Sequence, residues 1–124
     1  MGTIIGVAIA GALGAIARYG LGGVIAARFP TAFPWDTLLI NVTGSFALGL
    51  LFVVLTERLN AAPALRAAIT IGFLGAYTTF STFSLETVRL LEDGSYALAL
   101  LNVGSSVALG LGAAGLGVAM GRAI

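Results

Sequence analysis

The sequence contains no cysteine, no histidine and no lysine. Without cysteine and histidine, the chain cannot form a disulfide, use a thiol nucleophile, hold zinc through its usual ligands or use imidazole as a general base. Without lysine it has no P-loop lysine, and its 6 basic residues form no polybasic run for nucleic acid or anionic lipid. We therefore predict that the chain is not an enzyme and does not bind nucleic acid.

Charge of either sign is also scarce. Charged residues make up 9% of the 124 residues and hydrophobic residues make up 59%, whereas soluble domains have about 25% charged residues. A transmembrane helix needs about 20 mostly apolar residues, and the chain has four such stretches, at about residues 3–28, 37–56, 65–91 and 96–121. The sequence predicts an all-α, multi-pass membrane protein whose residues 1–124 form a single four-helix transmembrane domain.

The third span is the least regular of the four. Its apolar part, "AAITIGFLGAY", covers only about half of a bilayer before the hydroxyl-rich "TTFSTFS" begins at Thr78. Glu86 and Arg89 follow within the same span. The helix therefore either ends early, or it is broken near its middle and shielded from lipid by protein.

The arginines are almost evenly divided between the two sides of the membrane. Four spans place both termini on one side together with Arg58, Arg66 and Arg122, and leave Arg28 and Arg89 on the other. A clear excess of Lys and Arg on the cytoplasmic side normally sets orientation, so this balance is compatible with insertion in both orientations. Two oppositely inserted copies could form an antiparallel homodimer with the inverted symmetry that larger transporters encode as internal repeats.

The 18 glycines indicate closely packed helices. Small residues four positions apart let helix backbones approach each other inside a membrane. Such pairs are Gly2 and Gly6, Gly11 and Ala15, and Gly117 and Gly121. The pattern predicts how the helices pack, and it says nothing about what passes between them.

Uncharged polar residues form stripes in the second and fourth spans. Thr37, Asn41 and Ser45 are spaced by four and so share one helix face, and Asn102 and Ser106 lie one turn apart. Polar groups inside a span are costly and normally face a bundle interior or a watery path. Each stripe is therefore either a set of contacts between helices or the lining of a polar track.

Two charged residues also fall inside the spans. Arg18 either extends its side chain to the nearer membrane interface or attracts anions into a vestibule. Three interpretations are compatible with Glu86: a residue of an ion path, a structural hydrogen-bond partner, or a residue near the membrane interface. The spacing alone leaves these alternatives open.

The "TTFSTFS" stretch places two aromatic rings among hydroxyl groups. Phe80 and Phe83 are three residues apart and share a helix face, with Ser81 and Thr82 between them. A pair at this spacing is most often plain packing, but aromatic edges carry partial positive charge. Ring edges beside hydroxyl donors suit a small, partly dehydrated anion, because they bind it without a full cationic charge that would trap it.

These stretches resemble the small bacterial fluoride channel family, Fluc, also called CrcB. The resemblance covers nearly the whole chain and is carried by "GALGAIARYG", "DTLLINVTGSFALG", "GFLGAYTTFSTFSLE" and "NVGSSVALG", one in each span. The third motif is the specific one. The order of the motifs, the length of the chain and the number of spans agree with the family.

The resemblance implies a passive, fluoride-selective channel in the plasma membrane of a prokaryote, which exports fluoride from the cytoplasm and protects the cell. It also implies a dual-topology, antiparallel homodimer with two pores and a third helix broken near its middle. Phe80 and Phe83 would line the fluoride path, with Asn41 as an amide donor. The other path positions carried over from the family are Arg18 near a vestibule, Ser106 on the polar track, and Ser81, Thr82 and Glu86 within the third motif.

The family also implies a structural sodium ion at the dimer centre. Its ligands here would be the backbone carbonyl groups of Gly75 and Thr78, and carbonyl oxygens released by a broken helix suit such a hard cation. Two departures from the family pattern are Asp36, which we expect to have little consequence, and Gly110, which lacks a hydroxyl group at the end of the polar track.

Two other classes of protein fit parts of the sequence. A small multidrug-type proton antiporter is also short, rich in glycine and built from four spans, but it needs a membrane-embedded carboxylate, most tellingly in the first span. That span contains Arg18 and no acidic residue. A structural subunit without transport would explain the polar stripes as contacts between helices, but it gives no reason for the phenylalanine pair among donors.

Overall fold

The computed structural model describes residues 1–124 and is entirely helical. Four helical segments are long and apolar enough to cross a membrane: Gly2–Arg28, Trp35–Arg58, Pro63–Glu92 and Tyr96–Ala123. They agree with the four predicted spans to within a few residues. We name them α1 for Gly2–Arg28, α2 for Trp35–Arg58, α3 and α4 for the two parts of the third span, residues 63–77 and Phe80–Glu92, and α5 for Tyr96–Ala123.

Two of these helices change from α to π geometry along their length. The last turn of α2, Val54–Arg58, is π-helical, and α3 is π-helical over Ala68–Leu74 between two short α-helical segments. A π-helical turn widens the backbone and is frequent at functional sites. In this protein the longer π-helical segment leads directly into the break of the third span.

The connections between the helices follow from residues that stop or start a helix. Pro34 caps α2, and Pro63 is the first residue of α3, where its missing amide proton costs nothing. Gly94 has a φ of +74° in the turn before α5, a conformation that only glycine adopts readily. In the first connection the rings of Phe33 and Trp35 pack with centroids 4.8 Å apart.

Glycine residues bring the backbones of α2 and α5 into contact. This helix pair is one of the two most extensively packed pairs in the molecule. A Cβ atom at Gly49 would lie 2.3 Å from the carbonyl oxygen of Ala114, and one at Gly117 would lie 2.2 Å from the carbonyl oxygen of Phe46. Any side chain at either position would separate the helices, so the close crossing requires glycine.

The second close contact joins α1 to the π-helical part of α3. A Cβ atom at Gly14 would lie 2.1 Å from the carbonyl oxygen of Phe73. Of the predicted small-residue pairs, Gly117 and Gly121 both pack tightly against α2, whereas Gly2 at the start of α1 has no neighbour within 4 Å. The prediction of close glycine packing is therefore confirmed for α5 and wrong at Gly2.

Most large apolar side chains point outward. Only 18 of the 124 residues are buried within the single chain, and α4 contributes one of them, Leu90. An exterior of this kind suits lipid or another protein rather than water. Because α4 is so little enclosed, few apolar contacts hold it in place.

Candidate functional site at the break in the third span

The third span is broken at Thr78 and Thr79, as one of the two alternatives from the sequence predicted. Both residues have extended backbone, with ψ angles of 159° and 122°. The Thr78 amide donates the last hydrogen bond of α3, to the carbonyl oxygen of Leu74 at 3.0 Å. The Thr79 hydroxyl oxygen then caps α4 by accepting from the amide of Thr82 at 3.2 Å.

The side chain of Asn41 in α2 holds the broken backbone. Its Nδ2 donates to the carbonyl oxygen of Thr79 at 2.9 Å, and its Oδ1 accepts from the amide of Thr79 at 2.8 Å. Both backbone groups of Thr79, which lies within the third membrane-spanning segment, thus have hydrogen-bond partners. The second proton on Nδ2 takes part in no hydrogen bond within the chain, so the amide keeps one donor for another acceptor.

Arg18 contacts the same segment from α1. Its Nε donates to the carbonyl oxygen of Ala76 at 3.1 Å, at the carbonyl end of α3. A positive charge is favourable there because the carbonyl end of a helix carries partial negative charge. Arg18 therefore does more than reach for the interface, which was one of its two readings from the sequence.

Gly44 allows α2 to lie directly against the break. A Cβ atom at this position would be 2.3 Å from Cγ2 of Thr78 and 3.1 Å from the ring of Tyr77. Asn41 precedes Gly44 by about one turn, so the same close approach brings its amide within reach of Thr79. Sequence reasoning did not single out Gly44, and it named Thr79 only as one of several hydroxyl residues that fit an ion path by spacing.

A small cavity of about 300 Å³ lies against the break. It brings together polar residues of three helices with the two phenylalanine rings, whose centroids are 5.7 Å apart. The predicted path residues at this cavity are Asn41, Phe80, Phe83 and Ser106, and the predicted sodium ligands Gly75 and Thr78 line it as well. No charged residue contributes to its wall.

A larger, open recess of about 870 Å³ lies beside α1 and the start of α2. Arg18 and Thr82 line it, together with Thr37 and Asp36. Asp36, which we expected to have little consequence, thus places a carboxylate in the same recess as the Arg18 guanidinium. Thr79 lines both the recess and the small cavity, so it stands between them.

The remaining two predicted path residues lie outside both spaces. Glu86 accepts a hydrogen bond at Oε1 from the Thr37 hydroxyl at 2.8 Å, while its Oε2 is buried without a partner. Of the three interpretations of Glu86 from the sequence, this contact agrees with a structural hydrogen-bond partner. The hydroxyl groups of Ser81 and Thr79 are 3.4 Å apart, and Ser81 is exposed.

The period-four stripe of α2 was the sequence signal that best anticipated the site. Thr37 binds Glu86, Asn41 binds Thr79, and Ser45 lines the small cavity, so all three side chains face the third span or its cavity. A Cβ atom at Gly110 would lie 3.9 Å from the hydroxyl oxygen of Ser45. A hydroxyl group from α2 is therefore present near the point where α5 lacks one.

Four apolar spans, with a polar cavity at the break of the third, define a multi-pass membrane protein of the all-α class. The family profile described as CrcB-like protein, Camphor Resistance (CrcB), matches residues 5–118. The chain therefore belongs to the CrcB family, which confirms the resemblance carried by its four motifs.

Similar proteins of three bacteria carry the name fluoride-specific ion channel FluC. The protein of Magnetococcus marinus is 53% identical over 118 residues, which cover 95% of this chain and 96% of the relative. That of Acidobacterium capsulatum is 51% identical over 95% of this chain and 94% of the relative, and that of Geobacter sulfurreducens is 50% identical over 88% of each. Because the family is one of ion channels by these names, the prediction that the chain is not an enzyme is confirmed.

Proposed function

We propose that this protein is a passive, fluoride-selective channel that exports fluoride across the plasma membrane of a prokaryote and so protects the cell from fluoride. Relatives at about half identity are named fluoride-specific ion channels. The observation that carries the proposal is the uncharged cavity at the broken span, where Phe80 and Phe83 meet the amide of Asn41 and the hydroxyl of Ser106.

The wall of this cavity suits a small anion that has lost part of its water. Phenylalanine ring edges carry partial positive charge, while a serine hydroxyl and the unused proton of the Asn41 amide are donors. Ser45 of α2 and Ser106 of α5 both line the cavity. Because the wall holds no full cationic charge, an anion is bound weakly enough to leave again, as conduction requires.

The larger recess serves as the vestibule in this proposal. Arg18 supplies the positive charge that attracts anions toward Thr79, which separates the recess from the small cavity. Its Nε remains bound to Ala76, so the guanidinium is held in place beside the recess. Asp36 in the same recess reduces the local positive potential, which limits how tightly an anion is held there.

We further propose that two copies assemble as an antiparallel homodimer with one pore for each chain. The near balance of arginines between the two sides of the membrane supports dual topology. The ring of Phe80 is 79% exposed in the single chain. A second copy would cover part of this surface and enclose the ring along a path.

The break also offers ligands for the structural sodium ion implied by the family. The amide of Thr79 binds Asn41 instead of the carbonyl oxygen of Gly75 four residues earlier, so the Gly75 carbonyl loses its usual helical partner. Gly75 and Thr78 both line the small cavity, and carbonyl oxygens are suitable ligands for a hard cation. In the proposed dimer the two chains would supply two such residues each, and the bound ion would contribute positive charge that stabilises the broken segment.

Liposome reconstitution tests the proposed function directly. Purified protein in liposomes loaded with potassium fluoride is expected to release fluoride after valinomycin is added, as followed with a fluoride-selective electrode. Matched liposomes loaded with potassium chloride are expected to release far less anion. The absence of fluoride release, or chloride release at an equal rate, would contradict the proposal.

A further inference from the structure

A buried amide in α5 connects that helix to the backbone of Phe83. Asn102 is 1% exposed. Its Nδ2 donates to the hydroxyl oxygen of Thr87 in α4 at 3.0 Å, and the Thr87 hydroxyl donates to the carbonyl oxygen of Phe83 at 2.8 Å. The three groups form a continuous chain of hydrogen bonds that ends at the backbone carbonyl group of Phe83, the residue that carries the ring.

The chain of bonds determines which way the Asn102 amide faces. The Thr87 hydroxyl has a single proton, which is used at Phe83, so its oxygen must accept from the NH2 group of the amide. The other end of the amide, Oδ1, is then buried without a hydrogen-bond partner. A buried acceptor without a partner lowers the stability of the folded protein. Replacing both residues of a hydrogen-bonded pair by apolar side chains of similar shape can leave that stability unchanged or raise it. Stability alone therefore gives no reason for an asparagine at this position.

The position of α4 depends on a few polar contacts of this kind. It buries only Leu90 and packs sparsely against α2 and α5. One hydrogen bond joins it to α2, from the Thr37 hydroxyl of α2 to Glu86 of α4. Another joins it to α5, from the Asn102 amide of α5 to the Thr87 hydroxyl of α4. Inside a membrane no hydrophobic effect drives helices together, so interhelical hydrogen bonds and close packing set their relative positions.

We propose that Asn102 and Thr87 are a positioning pair that fixes the rotation of α4 and thereby the placement of the Phe83 ring at the small cavity. Neither residue lines that cavity, so both act through Phe83. The inference rests on the proposed function, in which Phe83 lines the fluoride path.

Substitutions that keep side-chain shape test the pair. Thr87→Val and Asn102→Leu are each expected to lower fluoride efflux from liposomes about fivefold or more. This factor corresponds to the free energy of one interhelical hydrogen bond, which each variant loses. Thr87→Ser keeps the hydroxyl group and is expected to retain most of the flux. The matched control is Thr56→Val, because the Thr56 hydroxyl donates only to the carbonyl oxygen of Phe52 in its own helix.

Two further measurements separate positioning from a general loss of structure. The fluoride efflux of the double variant Asn102→Leu/Thr87→Val is expected to be at least as high as that of the less active single variant. Its thermal unfolding midpoint is expected to equal or exceed that of the wild type. Hydrogen exchange at amides 80–92 is expected to quicken in Thr87→Val, while exchange in residues 35–53 stays unchanged. If Asn102→Leu fails to assemble, the comparison of Thr87→Val with Thr87→Ser decides the matter.

Wild-type flux in Thr87→Val, or equal loss of flux in Thr87→Ser and Thr87→Val, would overturn the proposed pair. A wild-type protein that releases no fluoride would instead overturn the proposed function. In that case the exchange at amides 80–92 still reports whether Thr87 holds α4, because this readout does not depend on transport.

Discussion

Replacing Asn41 by leucine removes the side chain that satisfies the backbone at the break. The variant loses two hydrogen bonds to Thr79, of 2.9 and 2.8 Å, and leaves an amide and a carbonyl group without their partner. At about 1 to 2 kcal/mol for each interhelical bond inside a membrane, the free energy of unfolding is expected to fall by about 2 to 4 kcal/mol. The upper part of this range applies if neither group finds another partner.

The change can be measured by unfolding in mixed micelles of a mild detergent and sodium dodecyl sulfate, with the fluorescence of Trp35 as the signal. Ser45→Ala is the matched control, because Ser45 lies one turn further on the same face of α2 and donates no hydrogen bond within the chain. Its stability is expected to stay within about 0.5 kcal/mol of the wild type. If Asn41→Leu also stays within that margin, the amide does not hold the break, and the structural role assigned to it is wrong.

Three further predictions concern the rings, the close approach of α2 and the cation. Phe80→Ile and Phe83→Ile should each lower fluoride efflux about tenfold, because an aliphatic side chain has no positive ring edge. Both variants should still elute as dimers in gel filtration. Normal fluoride efflux in both would contradict the role of the rings. Gly44→Ala should lower the free energy of unfolding by about 1 to 3 kcal/mol, because the added Cβ would lie 2.3 Å from Cγ2 of Thr78. The control Gly112→Ala should leave it unchanged in the same unfolding assay, because the space around Gly112 is open. Exchange of sodium for N-methylglucamine throughout purification should lower the thermal unfolding midpoint of the dimer, and an unchanged midpoint would argue against a structural sodium ion.

The arrangement of spans was predictable because it depends on composition and length. Each span is a long run of apolar residues, and the intervening residues include Pro34, Pro63 and Gly94, which begin a helix or turn the chain. Backbone groups in lipid must be satisfied within the chain, so an apolar run of this length has almost no alternative to a helix. For the same reason the hydroxyl-rich stretch after Tyr77 was recognisable as an irregularity.

The partners of individual polar side chains were much less predictable. Asn41 was expected to be a donor in the path, but one donor and one acceptor of its amide are used at the backbone of Thr79. Arg18 was assigned to a vestibule, and its Nε also binds the carbonyl group of Ala76. These contacts join residues 38 and 58 positions apart, and spacing along one helix carries no information about such distances.

The sequence by itself determined that this is a four-span membrane protein, that its third span is irregular, and that the phenylalanine pair lies among hydroxyl groups. Those properties reside in local composition and helical periodicity. Only the tertiary structure decided that the span breaks at Thr78 and Thr79, that Asn41 holds the break, and that Gly44 brings the two together. The physical reason is that a break in a membrane helix is stable only where another helix lies close enough to satisfy the released backbone groups, and that proximity is a property of the packed bundle.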